Sequence, residues 1–145
     1  QGPQVHETLA WDHARLDELQ RATLAAIAAV DLPEARRHFA LFERRLNRHI
    51  HFEEDLLFPA FERKARHEGA TRAMRSEHRE IRMMLERAAR SLYGPGSEAE
   101  SACRSLHSVL EQHDFNEEAT FYDVLDRLLD PSERAALIES IQAFA

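Results

Sequence analysis

The stretch "HIHFEED", residues 49–55, decides how this chain is read. Two histidines and three acids stand within seven residues, inside an apolar, helix-forming run that includes Ile50, Phe52, Leu56, Leu57 and Phe58. A surface helix keeps its acids off the apolar face, and a core helix carries none unless something pairs with them. His49 and Glu53 are four residues apart. In a helix that is about 40° of rotation and about 6 Å of rise, so the two share one face. The same spacing returns at His113 and Glu117.

The recurrence is wider than that pair. His49 to His113 is 64 residues, Glu53 to Glu117 is 64, and His13 to His78 is 65. Asp12-His13 parallels Glu77-His78, Glu53-Glu54 parallels Glu117-Glu118, and Leu57-Phe58 parallels Phe121-Tyr122. The chain therefore reads as two copies of a helical hairpin, each carrying His and then His-x-x-x-Glu. Packed about a pseudo-twofold axis, the copies bring four histidines and two carboxylates together at the centre.

The rest of the sequence supplies the frame. A length of 145 residues suits one domain, 1–145, with a real core. Only four glycines and five prolines occur, and Ala, Leu, Glu and Arg dominate, which favours helix throughout. Asp31 with Glu34, Ser97 with Glu100, and Asp130 with Glu133 read as capping boxes, and Gly69 as a helix end. These signals predict helices over about 4–29, 32–66, 70–92, 97–129 and 132–143. Short connections between long helices predict an all-α fold, an up-down-up-down antiparallel four-helix bundle with a short C-terminal helix. Apolar stripes run through Leu9, Leu16, Leu24 and Ile27; Phe42, Leu46, Leu56 and Ala60; Met74, Ile81, Leu85 and Leu92; and Leu106, Leu110, Val124 and Leu128. Each stripe is interrupted by one of the repeated polar residues. Pro59 falls inside the second helix and predicts a local bend.

Composition narrows the function. A net charge of −7 disfavours nucleic acid as partner. No apolar run approaches the roughly 18 residues a membrane span needs. No signal peptide is recognisable in the N-terminal residues as given, and Cys103 stands alone, so a reducing cytoplasm is expected.

Two carboxylates in an apolar interior are costly unless something pairs with them. Mixed imidazole and carboxylate donors suit a first-row transition metal better than calcium or magnesium. The six residues His13, His49, Glu53, His78, His113 and Glu117 exceed what one tetrahedral zinc requires. They fit two ions bridged by both carboxylates, each ion held by two histidines, with an oxo or hydroxo bridge and a position left for a small molecule. Glu54 and Glu118 lie about 100° away and are expected at the surface or supporting the ligands from behind. Asp17 is a candidate for the same supporting role. Tyr122, one turn beyond Glu117, is a candidate for a hydrogen bond to the ligands or a redox role. His6, His38, His51, His67 and His107 are expected to play no part, and Trp11, Met83 and Met84 to serve ordinary packing.

His13, "HIHFEEDLLFP" at 49–59, "EH" at 77–78 and "HDFNEE" at 113–118 together resemble the hemerythrin-like family, or HHE cation-binding domain. The resemblance covers nearly the whole chain and implies a non-haem di-iron site in a four-helix bundle. The oxygen carriers of that family pair two histidines in the third helix, whereas here His78 is flanked by Met74 and Arg82 at four-residue spacing. The last motif also closes on Glu117 in place of their aspartate. The ligand order is closer to the di-iron domain of bacterial iron-centre repair proteins. It is also similar to mycobacterial hemerythrin-like proteins and to an iron-sensing ubiquitin ligase domain. The resemblance implies a cytoplasmic protein that binds, senses or reacts with O2, NO or peroxide. Alternative readings are an iron store or donor for iron–sulfur repair, a peroxide-consuming or oxygenase enzyme, and a bundle whose metal is structural.

Overall fold

The computed structural model describes residues 2–67, 69–94 and 98–144. The described residues are helical with no strand. The elements are α1 (Val5–Ala28), α2 (Leu32–Phe52), α3 (Phe58–Ala65), α4 (Arg72–Tyr93), α5 (Ala99–Asn116), α6 (Asp123–Leu128) and α7 (Pro131–Ala143). α1 packs against α2 and α5, and α4 packs against the same two helices. α7 is the short C-terminal helix that the capping signal at Asp130 predicts. Asp130 accepts from the Glu133 amide at 2.8 Å and Glu133 returns the bond to the Asp130 amide at 2.9 Å. The reciprocal box expected at Asp31 is only half formed. Asp31 accepts from the Glu34 amide, but the Glu34 carboxylate turns to Arg37 and His38. The Ser97 box lies outside the described residues. The second helix ends at Arg66 in the left-handed conformation, φ 55°, before Gly69 is reached.

The main departure from expectation lies within the second and fourth long helices. Each is interrupted by a π-helical turn, Glu53–Leu57 between α2 and α3 and Glu117–Tyr122 between α5 and α6. The amide of Phe58 bonds the carbonyl of Glu53, five residues back. Pro59 follows at once and has no amide to offer, which suits the first π turn. The second copy makes the same turn with no proline in it, so proline is not the general cause.

An extra residue per turn shifts everything downstream by one position. The predicted stripe through Val124 and Leu128 is accordingly displaced: Val124 is half-buried and Leu128 exposed, while Leu125 and Leu129 take the core positions. In the first copy Leu56 is likewise half-buried, and Leu57 and Phe58 are buried instead.

The core is two apolar layers rather than one. Leu16, Phe39, Phe42, Leu46, Ile50, Ile81, Leu85, Leu106 and Leu110 belong to the first layer. Val5, Leu9, Phe52, Leu57, Phe58, Phe121, Tyr122 and Leu125 belong to the second, which α7 closes with Ile138 and Ile141. Arg48 ties down the end of α7 by donating to the carbonyls of Ile141 and Phe144. Along each long helix the chain passes from one layer to the other at His13, at His49 and Glu53, at His78, and at His113 and Glu117. Met84 packs on the first layer as expected, whereas Trp11 and Met83 do not pack inside; both are exposed.

Candidate metal centre

All six repeated residues meet between the two apolar layers, and all six are buried. They form two groups of four. His13, His49, Glu53 and Glu117 make the first, and His78, His113, Glu53 and Glu117 the second. Both carboxylates belong to both groups, one oxygen to each side. Glu53 Oε2 lies 3.2 Å from His49 Nε2, and Glu53 Oε1 lies 3.0 Å from His78 Nε2. Glu117 Oε1 lies 3.3 Å from His13 Nε2, and Glu117 Oε2 lies 3.1 Å from His113 Nε2. His13 and His49 face each other, Nε2 to Nε2, at 3.2 Å.

Every inward Nε2 is set by an outward Nδ1. His13 Nδ1 meets Glu118 at 2.8 Å, His49 meets Asp12 at 2.6 Å, His78 meets Glu54 at 2.9 Å, and His113 meets Glu77 at 2.6 Å. The pattern obeys the repeat: the acid before each first histidine holds the second histidine of its own copy, and the acid after each inner glutamate holds the first histidine of the other copy. A carboxylate on Nδ1 fixes that nitrogen as the proton donor and leaves the Nε2 lone pair for the centre, the tautomer a metal requires. Arg45 and Arg82 hold Asp12 and Glu54 in turn.

The electrostatics describe a centre charge-balanced by protons. Burial opposes a charge on each histidine, but the surrounding carboxylates outweigh it. Glu53 and Asp12 bring His49 up to about 9, Glu117 and Glu53 bring His78 up to about 10, and the same two with Glu77 bring His113 up to about 9. His13 is raised well above its ordinary value by Glu117 and Glu118 against the same burial. Burial would raise Glu117 too, yet His113, His13 and His78 hold it well below the usual carboxylate range. Asp114, whose carboxylate lies 3.4 Å from His13 Nε2, is pushed up to about 7, chiefly by burial.

Three buried atoms at this centre have no hydrogen-bond partner: Glu53 Oε1, His78 Nε2 and Glu117 Oε2. All three belong to the second group. A nitrogen and two carboxylate oxygens that converge in an apolar interior and form ion pairs but no well-aligned hydrogen bond are a donor set for a cation. The residues present therefore fit a pair of transition-metal ions.

One side chain stands differently from expectation. Asp17 does not support the centre; it pairs with Arg21 at 2.6 Å and with His107 at 2.7 Å. His6 gives its backbone amide, with that of Val5, to the Asp126 carboxylate, which caps α1. His51 and His67 are exposed and His38 pairs with Glu34, as expected of residues outside the site. Asp12 and Glu77 are the residues sequence reasoning passed over. Their signal was present, since an acid precedes the first histidine in both copies.

A model of the hemerythrin family, described as the hemerythrin HHE cation binding domain, matches residues 4–125. No curated protein matches significantly, and neither does any solved structure.

Proposed function

This chain belongs to the hemerythrin HHE cation-binding family, which binds metal ions, typically iron, and from that premise we propose that it is a non-haem di-iron protein that binds, senses or reacts with O2, NO or peroxide. The observation that carries the reading is the pair of inward-facing donor groups sharing both Glu53 and Glu117. His13 and His49 would hold one ion and His78 and His113 the other, with Glu53 and Glu117 offering a carboxylate oxygen to each. We place these residues on an up-down-up-down antiparallel four-helix bundle in the cytoplasm, where Cys103 stays a thiol.

Bound iron would supply a redox-active Lewis acid to a small ligand. The protein supplies the rest. Asp12, Glu54, Glu77 and Glu118 orient the imidazoles, and the carboxylates of Glu53 and Glu117 offset the positive charge. The two apolar layers exclude water from both ends of the centre. The ligands themselves are at most 6% exposed, so only small molecules reach them without opening the helices.

The test is anaerobic ferrous protein mixed rapidly with O2, NO or H2O2 and followed by absorption. A fast change, reversible on removing the gas or turning over with peroxide, is the expected result. Silence toward all three, with iron instead passing to an apo iron–sulfur protein, would replace the reading with iron donation.

The outward carboxylates give a graded prediction. Glu54→Ala and Glu118→Ala are expected to weaken metal affinity roughly 10- to 100-fold while leaving the site able to load. Competition against a chelator of known affinity measures it. Affinity equal to wild type in both variants would mean that these carboxylates do not orient the ligands.

A further inference from the structure

The two halves of the centre are not alike. The repeat that matches Glu53 to Glu117 also matches Phe58 to Tyr122. Phe58 lays its ring beside His78, centroids 5.3 Å apart, and has no polar atom to offer. Tyr122 is fully buried, and its hydroxyl reaches all four inner atoms of the first group. It lies 3.1 Å from His13 Nε2, 3.3 Å from His49 Nε2 and 2.8 Å from Glu117 Oε1, and it donates to Glu53 Oε2. The second group has no such oxygen, and the three atoms without a hydrogen bond are found there.

The π turn puts the hydroxyl in place. Five residues along an α-helix are about 140° apart, which would turn Tyr122 away from Glu117. A turn closed by bonds five residues back returns the fifth residue to the starting face. Glu117–Tyr122 is that turn.

We propose that Tyr122 is a ligand of the ion held by His13 and His49, so that the open position for a small molecule lies on the ion held by His78 and His113. The inference rests on the di-iron reading and deepens it. As the ion enters, the Tyr122 O–H bond breaks, its proton leaves to water, and the phenolate oxygen donates an electron pair to the metal; no electron changes owner. The first ion then has two imidazoles, two carboxylate oxygens and a phenolate. The second has two imidazoles and two carboxylate oxygens only. On the side of the second ion, a surface cavity of about 280 Å³ reaches His113 and its partner Glu77.

The chain has two tyrosines, and Tyr93 is exposed at the end of α4, so a tyrosine signal at the iron is assignable to Tyr122. Oxidised, iron-loaded protein should show a phenolate-to-iron charge-transfer band in the visible. Tyr122→Phe at equal iron content should lack it. Ring-deuterated tyrosine in the unmutated protein should shift the vibrations enhanced under that band, a readout that needs no variant to fold. Azide is the probe for the second ion: Phe58→Tyr, which sets a hydroxyl in the second group, should weaken its binding at least tenfold. Two irons per chain with no tyrosine-sensitive band overturns the ligand assignment and leaves the di-iron reading standing. Azide affinity unchanged in Phe58→Tyr overturns the placement of the open position. Failure to bind iron at all overturns both readings.

Discussion

Glu53→Ala and Glu117→Ala are each expected to leave protein that no longer holds a stable pair of irons. Each glutamate offers one oxygen to either group, so a single deletion removes a donor from both ions at once. Glu54 and Glu118 cannot take its place, because they are turned outward to His78 and His13. The loss extends to the metal-free state. Glu117 is the carboxylate that His13, His78 and His113 share, and removing one partner of a buried charged set typically costs about 3–5 kcal/mol. Glu117→Ala should therefore unfold at lower denaturant than wild type even without metal, and its melting should not respond to added iron. Iron content per chain and paired denaturation curves measure both. Wild-type iron content in either variant would show that the glutamate does not bridge.

The second large effect is a melting temperature that depends on metal and pH together. His13, His49, His78 and His113 all titrate above the ordinary histidine value in the metal-free protein. A group whose pKa rises on folding stabilises the fold fully below its unfolded value, near 6.5, and that stabilisation is lost as pH rises through the folded value. For these histidines the loss runs from about neutral to about 9–10. Glu117 has the opposite sign: its depressed pKa contributes stability above the unfolded carboxylate value, lost as the solution is acidified. The metal-free bundle should thus weaken as pH climbs from 6.5 to 9. Metal replaces the same protons, so its affinity rises across that window, and it stabilises by binding the folded state alone. The gap in melting temperature between ferrous-loaded and chelator-treated protein is expected to widen from pH 6 to pH 9 and to shrink toward pH 5. A gap independent of pH would mean that metal and protons do not compete for these four imidazoles.

The sequence made the inner residues legible because their information is local. A four-residue spacing fixes a shared helix face whatever the surroundings, and its repetition after 64 residues picked His49, Glu53, His113 and Glu117 out of nine histidines and many acids. The polar gaps in the apolar stripes likewise pointed to a polar cluster at the bundle centre, though not to the two separate apolar layers on either side of it. What stayed hidden depends on contacts between helices or on backbone hydrogen bonding. Asp12 and Glu77 act on histidines 37 and 36 residues away, across helix interfaces that no periodicity describes. The π turns carry no signature in the second copy, and an apolar pattern counted at 3.6 residues per turn cannot register one residue too many. That single residue moved the core from Val124 and Leu128 to Leu125 and Leu129, and it brought Tyr122 from a turn beyond the site into its first half.

The claim that everything else depends on is that these six residues hold two ions. Iron counted per chain in protein loaded anaerobically with ferrous ion, then oxidised and examined by electron paramagnetic resonance, tests it most directly. The account predicts a plateau at two irons per chain, silent after oxidation because the pair is antiferromagnetically coupled. A plateau at one metal, or preference for a single tetrahedral zinc, would contradict it.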